Sequence, residues 1–388
     1  MAAGKAAFGM GLSASDYLGS RFASGVMTAD VEGGLPQWRT HAATHPTPSA
    51  TSEAAGRDAL ALADVVHAEG GLLLVCLSGG ASAMLAVPAP GLTMADKIAV
   101  NRALLKAGLD IGSMNAVRRH LSAIKGGQLA ARAGRSITLA ISDVTTPIED
   151  DPAVIGSGPT VGDPTSFADA LAVLERARID PRTIAAVVAH LEAGARGEVP
   201  GPIPPGDPRL NSAAYWVVGS RRDGMRAAAD VATRLGYHVT TIDVPTRGEA
   251  RDAAAPLLAR AATLPRPACL IASGETTVRV VGTGKGGRNQ ELAAAALPEL
   301  ARLAPAALAS LGTDGVDGPT DAAGVLVDSS TWQTLGSDAA GRIEAALSNN
   351  DTYPLFEGLG ALVRSGPTGT NVGDLQVILL DRVEQRRD

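Results

Sequence analysis

Residues 71–80 read GLLLVCLSGG, an unbroken apolar run of six residues that stops at a serine and two glycines. A run this short, rich in Leu and Val, reads as a strand buried on both faces, which is the signature of a parallel sheet covered by helices. The serine and glycines then mark a tight strand-to-helix turn. Upstream, SEAAGRDALALADVVHAEG (52–70) has apolar residues at helical spacing, and GVMTAD (25–30) reads as a short strand. Downstream, helices are expected near 93–107 and through NAVRRHLSAIKGGQLAARAG (115–134), followed by the strand SITLAISDV (136–144). Such alternation predicts βαβ units and a Rossmann-like first domain.

The segment 194–210, GARGEVPGPIPPGDPRL, is rich in proline and glycine and reads as a linker or a long surface loop near a hinge. Beyond it the alternation resumes: a strand in AAYWVVGS, a helix, a strand in YHVTTIDV, a helix, and the apolar ACLIASGETTVRVV. A further helix, a strand in ALASLGTDG (307–315) and a last strand in LQVILLDR complete the chain. With 388 residues, long for one core, the expected organisation is an α/β domain over 1–195, a connection over 196–210 and a second α/β domain over 211–388. Both are expected as layered α/β/α domains.

Composition narrows the function. A net charge of −6 argues against broad binding of nucleic acid or anionic membranes, so small molecules are the expected partners. Cys76 and Cys269 sit in apolar runs and read as buried thiols. Without a signal-peptide pattern or a membrane-length apolar stretch, a cytoplasmic protein is expected, as a monomer or homodimer. Only five of the 34 basic residues are lysines, and Lys5, Lys125 and Lys285 each adjoin a glycine. In so arginine-rich a chain, a lysine suggests that a compact ammonium is needed.

Ligands in open parallel sheets bind beyond the carboxyl ends of strands. Ser78, Gly79, Gly80 and Ser82 occupy such a turn, either as an anion cradle or as an ordinary connection. Asp143, Glu275 and Asp314 also fall at strand ends, where carboxylates hold Mg2+ through water and phosphates or simply cap turns. The loop GTGKGGRNQE (282–291) formally matches G-x-G-x-x-G. It lacks the acid expected about 20 residues later, and Lys285 and Arg288 suit a transferring phosphoryl group better than a dinucleotide. The tetrapeptide SGPT occurs at 157–160 and 365–368, each followed by Gly-Asp, which predicts two similar loops.

Taken in order, GKAA (4–7), THPTP (44–48), LSGGASAML (77–85), NAVRRHLSAIKGGQLA (115–130), SDV and GSGPT (142–160), SGETTV (273–278), GKGGRNQE (284–291), TDGVDGPTDAAG (313–324), NNDTY (349–353) and SGPTGTNVGDL (365–375) resemble the glycerate 2-kinase family with a C-terminal MOFRL domain. Some of its members carry the name hydroxypyruvate reductase. The resemblance covers the whole chain and places the MOFRL-like region at about 268–380. It implies ATP- and Mg2+-dependent phosphorylation of D-glycerate to 2-phosphoglycerate in a cleft between two α/β domains. Residue by residue, it implies that Lys5 and Arg288 are catalytic, stabilising charge on the transferred phosphoryl group. Substrate or nucleotide binding is expected from Ser78, Gly79, Gly80, Ser82, Lys125, Ser157, Gly158, Gly284, Lys285, Gly286, Gly287 and Asn289. Asp143, Glu275 or Asp314 is expected to place Mg2+ or orient the hydroxyl. Arg118, Arg119, His120 and Lys125 form a second basic set, for the glycerate carboxylate or as a solvated helix face.

Three departures stand out. Ser49 replaces the family's Asp after HPxP, and SDVTTPIEDD replaces the usual Gly-Asp continuation. Lys5 follows only MAAG, where the family has a helical segment and a strand. The expectation is therefore a frayed Lys5 and a natural start further upstream. The alternatives are a nicotinamide-dependent hydroxypyruvate reductase and a nucleotide-binding homologue with impaired catalysis.

Overall fold

The computed structural model describes residues 1–30 and 33–383 and divides into two compact units, Met1–Val218 and Gly219–Asp388. The first unit is built on a six-stranded sheet comprising β1 (Ala2–Ala3), β2 (Gly25–Ala29), β3 (Trp38–Ala42), β4 (Leu73–Leu77), β5 (Ser136–Ile141) and β6 (Ala213–Gly219). Their spatial order is β3-β2-β1-β4-β5-β6, and every pairing from β3 to β5 is parallel. The apolar run at 72–77 thus supplies β4, which is buried except at half-buried Leu74, while Leu72 before it is exposed.

Chain order reverses between β1 and β4, which makes their carboxyl ends the switch point of a doubly wound sheet. The terminus is held there, not frayed. Ala2 and Ala3 are completely buried and pair with Met27 and Thr28 on one side and Cys76 and Leu77 on the other.

The helix expected over 115–134 is two helices, Ile111–His120 and Gln128–Ala133. Gly126 and Gly127 break it with φ of 60° and 76°, and a Cβ on Gly126 would press on Pro202 at 2.7 Å. Pro202 belongs to the segment expected as a linker. That segment lies inside the first unit, where Ile203 N–H donates to Gly126 O and Asp163 N–H donates to Ile203 O, both at 2.8 Å. The division between the two compact units falls at the end of β6, after Val218. A second apolar cluster joins four helices of this unit, Met94–Lys106, Ile111–His120, Phe167–Arg176 and Ala185–Ala195, through Leu104, Val117, Leu121, Leu174 and Leu191.

The second unit holds β7 (His238–Thr241), β8 (Ala268–Gly274), β9 (Ala306–Gly312), β10 (Gly324–Asp328), β11 (Leu362–Val363) and β12 (Asp374–Leu380), in the order β11-β10-β9-β12-β8-β7. This sheet is mixed. Only β7–β8 is parallel, because the last strand inserts antiparallel between β8 and β9. The helix Arg288–Arg302 packs Leu292, Leu297 and Leu300 into its core. Both cysteines are buried and free, and among the described residues no helix is long and apolar enough to cross a membrane.

Candidate active site

At the switch point of the first unit, two loops lock together. Lys5 N–H donates to Gly79 O at 2.9 Å, and Ala6 N–H donates to Ser78 Oγ at 2.9 Å. Gly4 makes this possible: its φ is +113°, and a Cβ there would lie 2.6 Å from Ser78 O and 2.8 Å from Gly79 O. The helix Ala7–Leu18 starts immediately afterwards, without a side-chain cap. Lys5 is therefore carried on a rigid backbone at the mouth of the crevice where doubly wound sheets hold ligands.

The turn 78–82 continues into a cavity of about 190 Å³. Its walls include His45 and Pro46 after β3, Gly80 and Ser82 after β4, Lys97 and Asn101 on one helix, and Arg118 and Lys125 beyond. The THPTP segment supplies His45, Pro46 and Pro48 to this wall. Ser49 then caps the next helix reciprocally with Ser52, a task that Ser performs as well as the family's Asp.

Lys125 is 3% exposed and directs Nζ to Ser82 O (2.8 Å), Ser82 Oγ (3.0 Å) and Gly156 O (3.3 Å). Three acceptors match the three donors of an ammonium, so Lys125 acts as a strut between the β4 turn and the 156–158 turn. Burial, with Lys97, Arg118 and Arg119 nearby, holds its pKa well below the ordinary lysine range. Ser157 sits at φ +62°, an uncommon value for a residue with a side chain, and bonds Ser82 Oγ (2.8 Å) and Asn115 Oδ1 (3.1 Å). Gly158 supports the same turn, its carbonyl accepting from Gly127 N–H.

Only part of the second basic set faces the cavity. Arg119 is paired with buried Asp163 at 3.0 Å, and His120 bonds Ala116 O at 2.7 Å and packs edge-on against Phe167. Burial lowers the His120 pKa. Arg119 and His120 are thus core residues, whereas Arg118 and Lys125 line the cavity.

In the second unit, the glycines of the Gly-rich loop have a packing role. A Cβ on Gly282 or Gly284 would strike the Asn349 carbonyl or Asp351, and one on Gly286 would strike Thr352. On Gly287 it would enter the Asp317 carboxylate. The glycines let the loop lie against the NNDT segment, with Gly284 N–H donating to Asn349 O and Lys285 N–H to Asp351 Oδ1. Asp317 accepts from Asn289 N–H and Gln290 N–H, both at 3.0 Å, and so caps the helix Arg288–Arg302. A carboxylate already at that N-terminus excludes a dinucleotide pyrophosphate there. Asn289 is buried between Asp317 and Ser310, and Lys285 Nζ lies 3.9 Å over the Tyr353 ring. Gly284, Gly286, Gly287 and Asn289 are therefore accounted for by packing and capping.

Arg288 is the chemically distinctive residue of this unit. Nε and Nη2 bond the two oxygens of buried Asp374 at 2.6 and 2.9 Å, and Nη1 bonds Glu275 at 3.0 Å. Burial works against its charge, but Asp374 and Glu275 outweigh burial and raise its pKa. The fork geometry fixes the plane of a permanent cation. Asp374 was missed as a site residue although the second SGPT loop carries it. Asp163 follows the first SGPT and forms a buried ion pair with Arg119, through one Nε–Oδ2 approach at 3.0 Å and without the bidentate hydrogen bonding of Asp374.

Of the three carboxylates expected near Mg2+, Asp143 belongs to the first unit and Glu275 and Asp314 to the second; Asp314 Oδ1 accepts Val316 N–H in a turn. Among the described residues, no three His, Cys, Asp or Glu side chains are grouped to hold a metal ion.

Comparison with known proteins agrees with this geometry. The family model described as a domain of unknown function (DUF4147) matches residues 1–192, and the MOFRL family model matches 268–374. The glycerate 2-kinase of Pyrococcus horikoshii is 34% identical, over 98% of this chain and 86% of its own length. The D-glycerate 2-kinase of Thermotoga maritima is 35% identical, over 98% and 90%. A relative in Agrobacterium vitis, 39% identical over 87% of this chain and 76% of its own, carries a hydroxypyruvate reductase name. The crystal structure of the Thermotoga maritima glycerate kinase superimposes with a TM-score of 0.84 at 36% identity, covering 98% of this chain and 90% of that one. The chain belongs to the glycerate 2-kinase family, an enzyme family of phosphotransferases.

Proposed function

We propose that the chain transfers a phosphoryl group from ATP to the 2-hydroxyl of D-glycerate, giving 2-phosphoglycerate. The observation that carries this reading is the switch-point junction, where Gly4 and the Ser78–Gly79 turn fix Lys5 at the carboxyl ends of β1 and β4. Phosphoryl transfer needs placement and positive charge more than covalent help. Lys5 and Arg288 are the cations that the family resemblance assigns to the charge that develops on the transferred group. Ser78, Gly79, Gly80 and Ser82 shape the crevice, and Lys125 and Ser157 hold that turn in place. Asp374 and Glu275 orient Arg288.

No preformed carboxylate cage for Mg2+ exists among the described residues, so the ion is assigned to the substrate. It enters as the magnesium complex of ATP, held by phosphates and water, as Mg2+ commonly is. Asp143, Glu275 and Asp314 are given no ligand role.

The test incubates purified protein with ATP, Mg2+ and D-glycerate, with enolase present and phosphoglycerate mutase absent. Enolase accepts the 2-phosphate, so phosphoenolpyruvate should accumulate. ADP release without phosphoenolpyruvate would refute the position of transfer, and NADH oxidation with hydroxypyruvate would favour the reductase alternative.

A further inference from the structure

The cavity beside the 78–82 turn has an unusual charge balance. Lys97, Arg118 and Lys125 all line it, and none of its lining residues is Asp or Glu. Cations buried without a counter-charge are costly, and they persist where an anion completes the site. Lys125 is already saturated by three acceptors. Lys97 is not: it is 8% exposed, and among the described residues Nζ makes a single hydrogen bond, to Leu121 O at 2.9 Å. Arg118 places Nε and Nη2 on Asn101 Oδ1 (2.8 and 2.5 Å), which fixes the guanidinium on the same wall.

The remaining lining is small and apolar, including Ala83, Ala86, Val100 and Leu121. With a volume of about 190 Å³, the space suits a short carbon acid and not a nucleotide. Gly80 and Ser82 belong to the same turn whose Gly79 carbonyl receives Lys5 N–H. An acid anchored in the cavity therefore has its neighbouring hydroxyl beside the phosphoryl-transfer crevice.

We propose that Lys97, with Arg118, binds the carboxylate of the acceptor and makes the enzyme select an acid over a neutral polyol. The inference rests on the glycerate reading and adds a specificity-determining residue to it. Burial, assisted by Arg118, lowers the Lys97 pKa to about 7, and a carboxylate bound beside it would favour the ammonium again.

The experiment is calorimetric titration of the full chain, saturated with a non-hydrolysable ATP analogue, by D-glycerate and separately by its neutral amide. Lys97→Met should weaken D-glycerate binding roughly ten- to a hundredfold, the usual worth of a charge-assisted hydrogen bond, and leave the amide nearly unchanged. Arg118→Met should act in the same direction. General damage to the fold would weaken both ligands together and leave their ratio intact. An unchanged acid-to-amide ratio in both variants overturns the proposal, as does a loss of nucleotide affinity with D-glycerate binding retained. D-glycerate binding without turnover would refute the assigned activity and leave the carboxylate site standing.

Discussion

Lys97→Met should make the ligand-free protein more stable while weakening its hold on an acid. In the folded chain the Lys97 pKa falls from 10.5 to about 7. A lysine whose folded pKa is lowered binds its proton less tightly folded than unfolded. Its unfavourable contribution is complete below pH 7, shrinks between pH 7 and 10.5, and is absent above. At 1.36 kcal/mol per pH unit, the burden at pH 6 is about 5 kcal/mol. Methionine removes the charge and preserves most of the stem. The lost Lys97–Leu121 hydrogen bond offsets about 1 kcal/mol, and Leu121 O keeps its bond from Ala89 N–H at 3.0 Å, so no carbonyl is orphaned. Repacking around the thioether costs about 1 kcal/mol more. The net gain is about 2–3 kcal/mol at pH 6, or on the order of 5 °C in Tm for a unit of this size. Calorimetric melting of both proteins at pH 6 and pH 10 is the assay. The gain should be largest at pH 6; at pH 10, where most of the burden is gone and the two offsets remain, the variant should be about 1 kcal/mol less stable than the parent. A variant less stable than the parent at pH 6, or a difference independent of pH, would refute the reasoning.

Three other outcomes follow from the geometry. KM for D-glycerate should be flat below pH 7 and rise above it, approaching tenfold per pH unit, as Lys97 loses its proton among Arg118, Lys125 and His190; the rise should disappear in Lys97→Met. Gly4→Ala should destabilise the first unit by about 3 kcal/mol or more and abolish turnover, because its Cβ meets two carbonyl oxygens at a φ of +113°; urea unfolding and the enolase-coupled rate check this. Asp374→Asn should lower kcat by about a hundredfold with KM for D-glycerate unchanged in steady-state kinetics, because Arg288 loses the bidentate partner that fixes its plane.

The buried strand at 73–77 and the turn after it were legible because a short, continuous apolar run ending in Ser-Gly-Gly has few other solutions. From that strand the doubly wound first sheet follows. The direction of β12 was not legible: alternating burial in LQVILLD fits a strand of either sense, and only its insertion between β8 and β9 decides. The same limit applies to the glycines of 282–287. A glycine needed for close approach to Asn349 and one needed to cradle a phosphate look identical in sequence. Arg288 and Asp374 are 86 residues apart, so their pairing carries no local signal, although the repeated SGPT with its following Asp marked both loops. Lys97 escaped notice because MADKIAVNRALLK reads as an ordinary polar helix, and only tertiary packing encloses that one ammonium.

The central claim is that the switch-point lysine acts on the phosphoryl group during transfer and does not merely help to bind substrate. Rapid-quench single-turnover kinetics with excess Lys5→Met enzyme, ATP, Mg2+ and saturating D-glycerate measures that step directly. The account predicts a transfer rate about a hundred- to a thousandfold below the parent, with D-glycerate affinity little changed. A transfer rate equal to the parent's would contradict it.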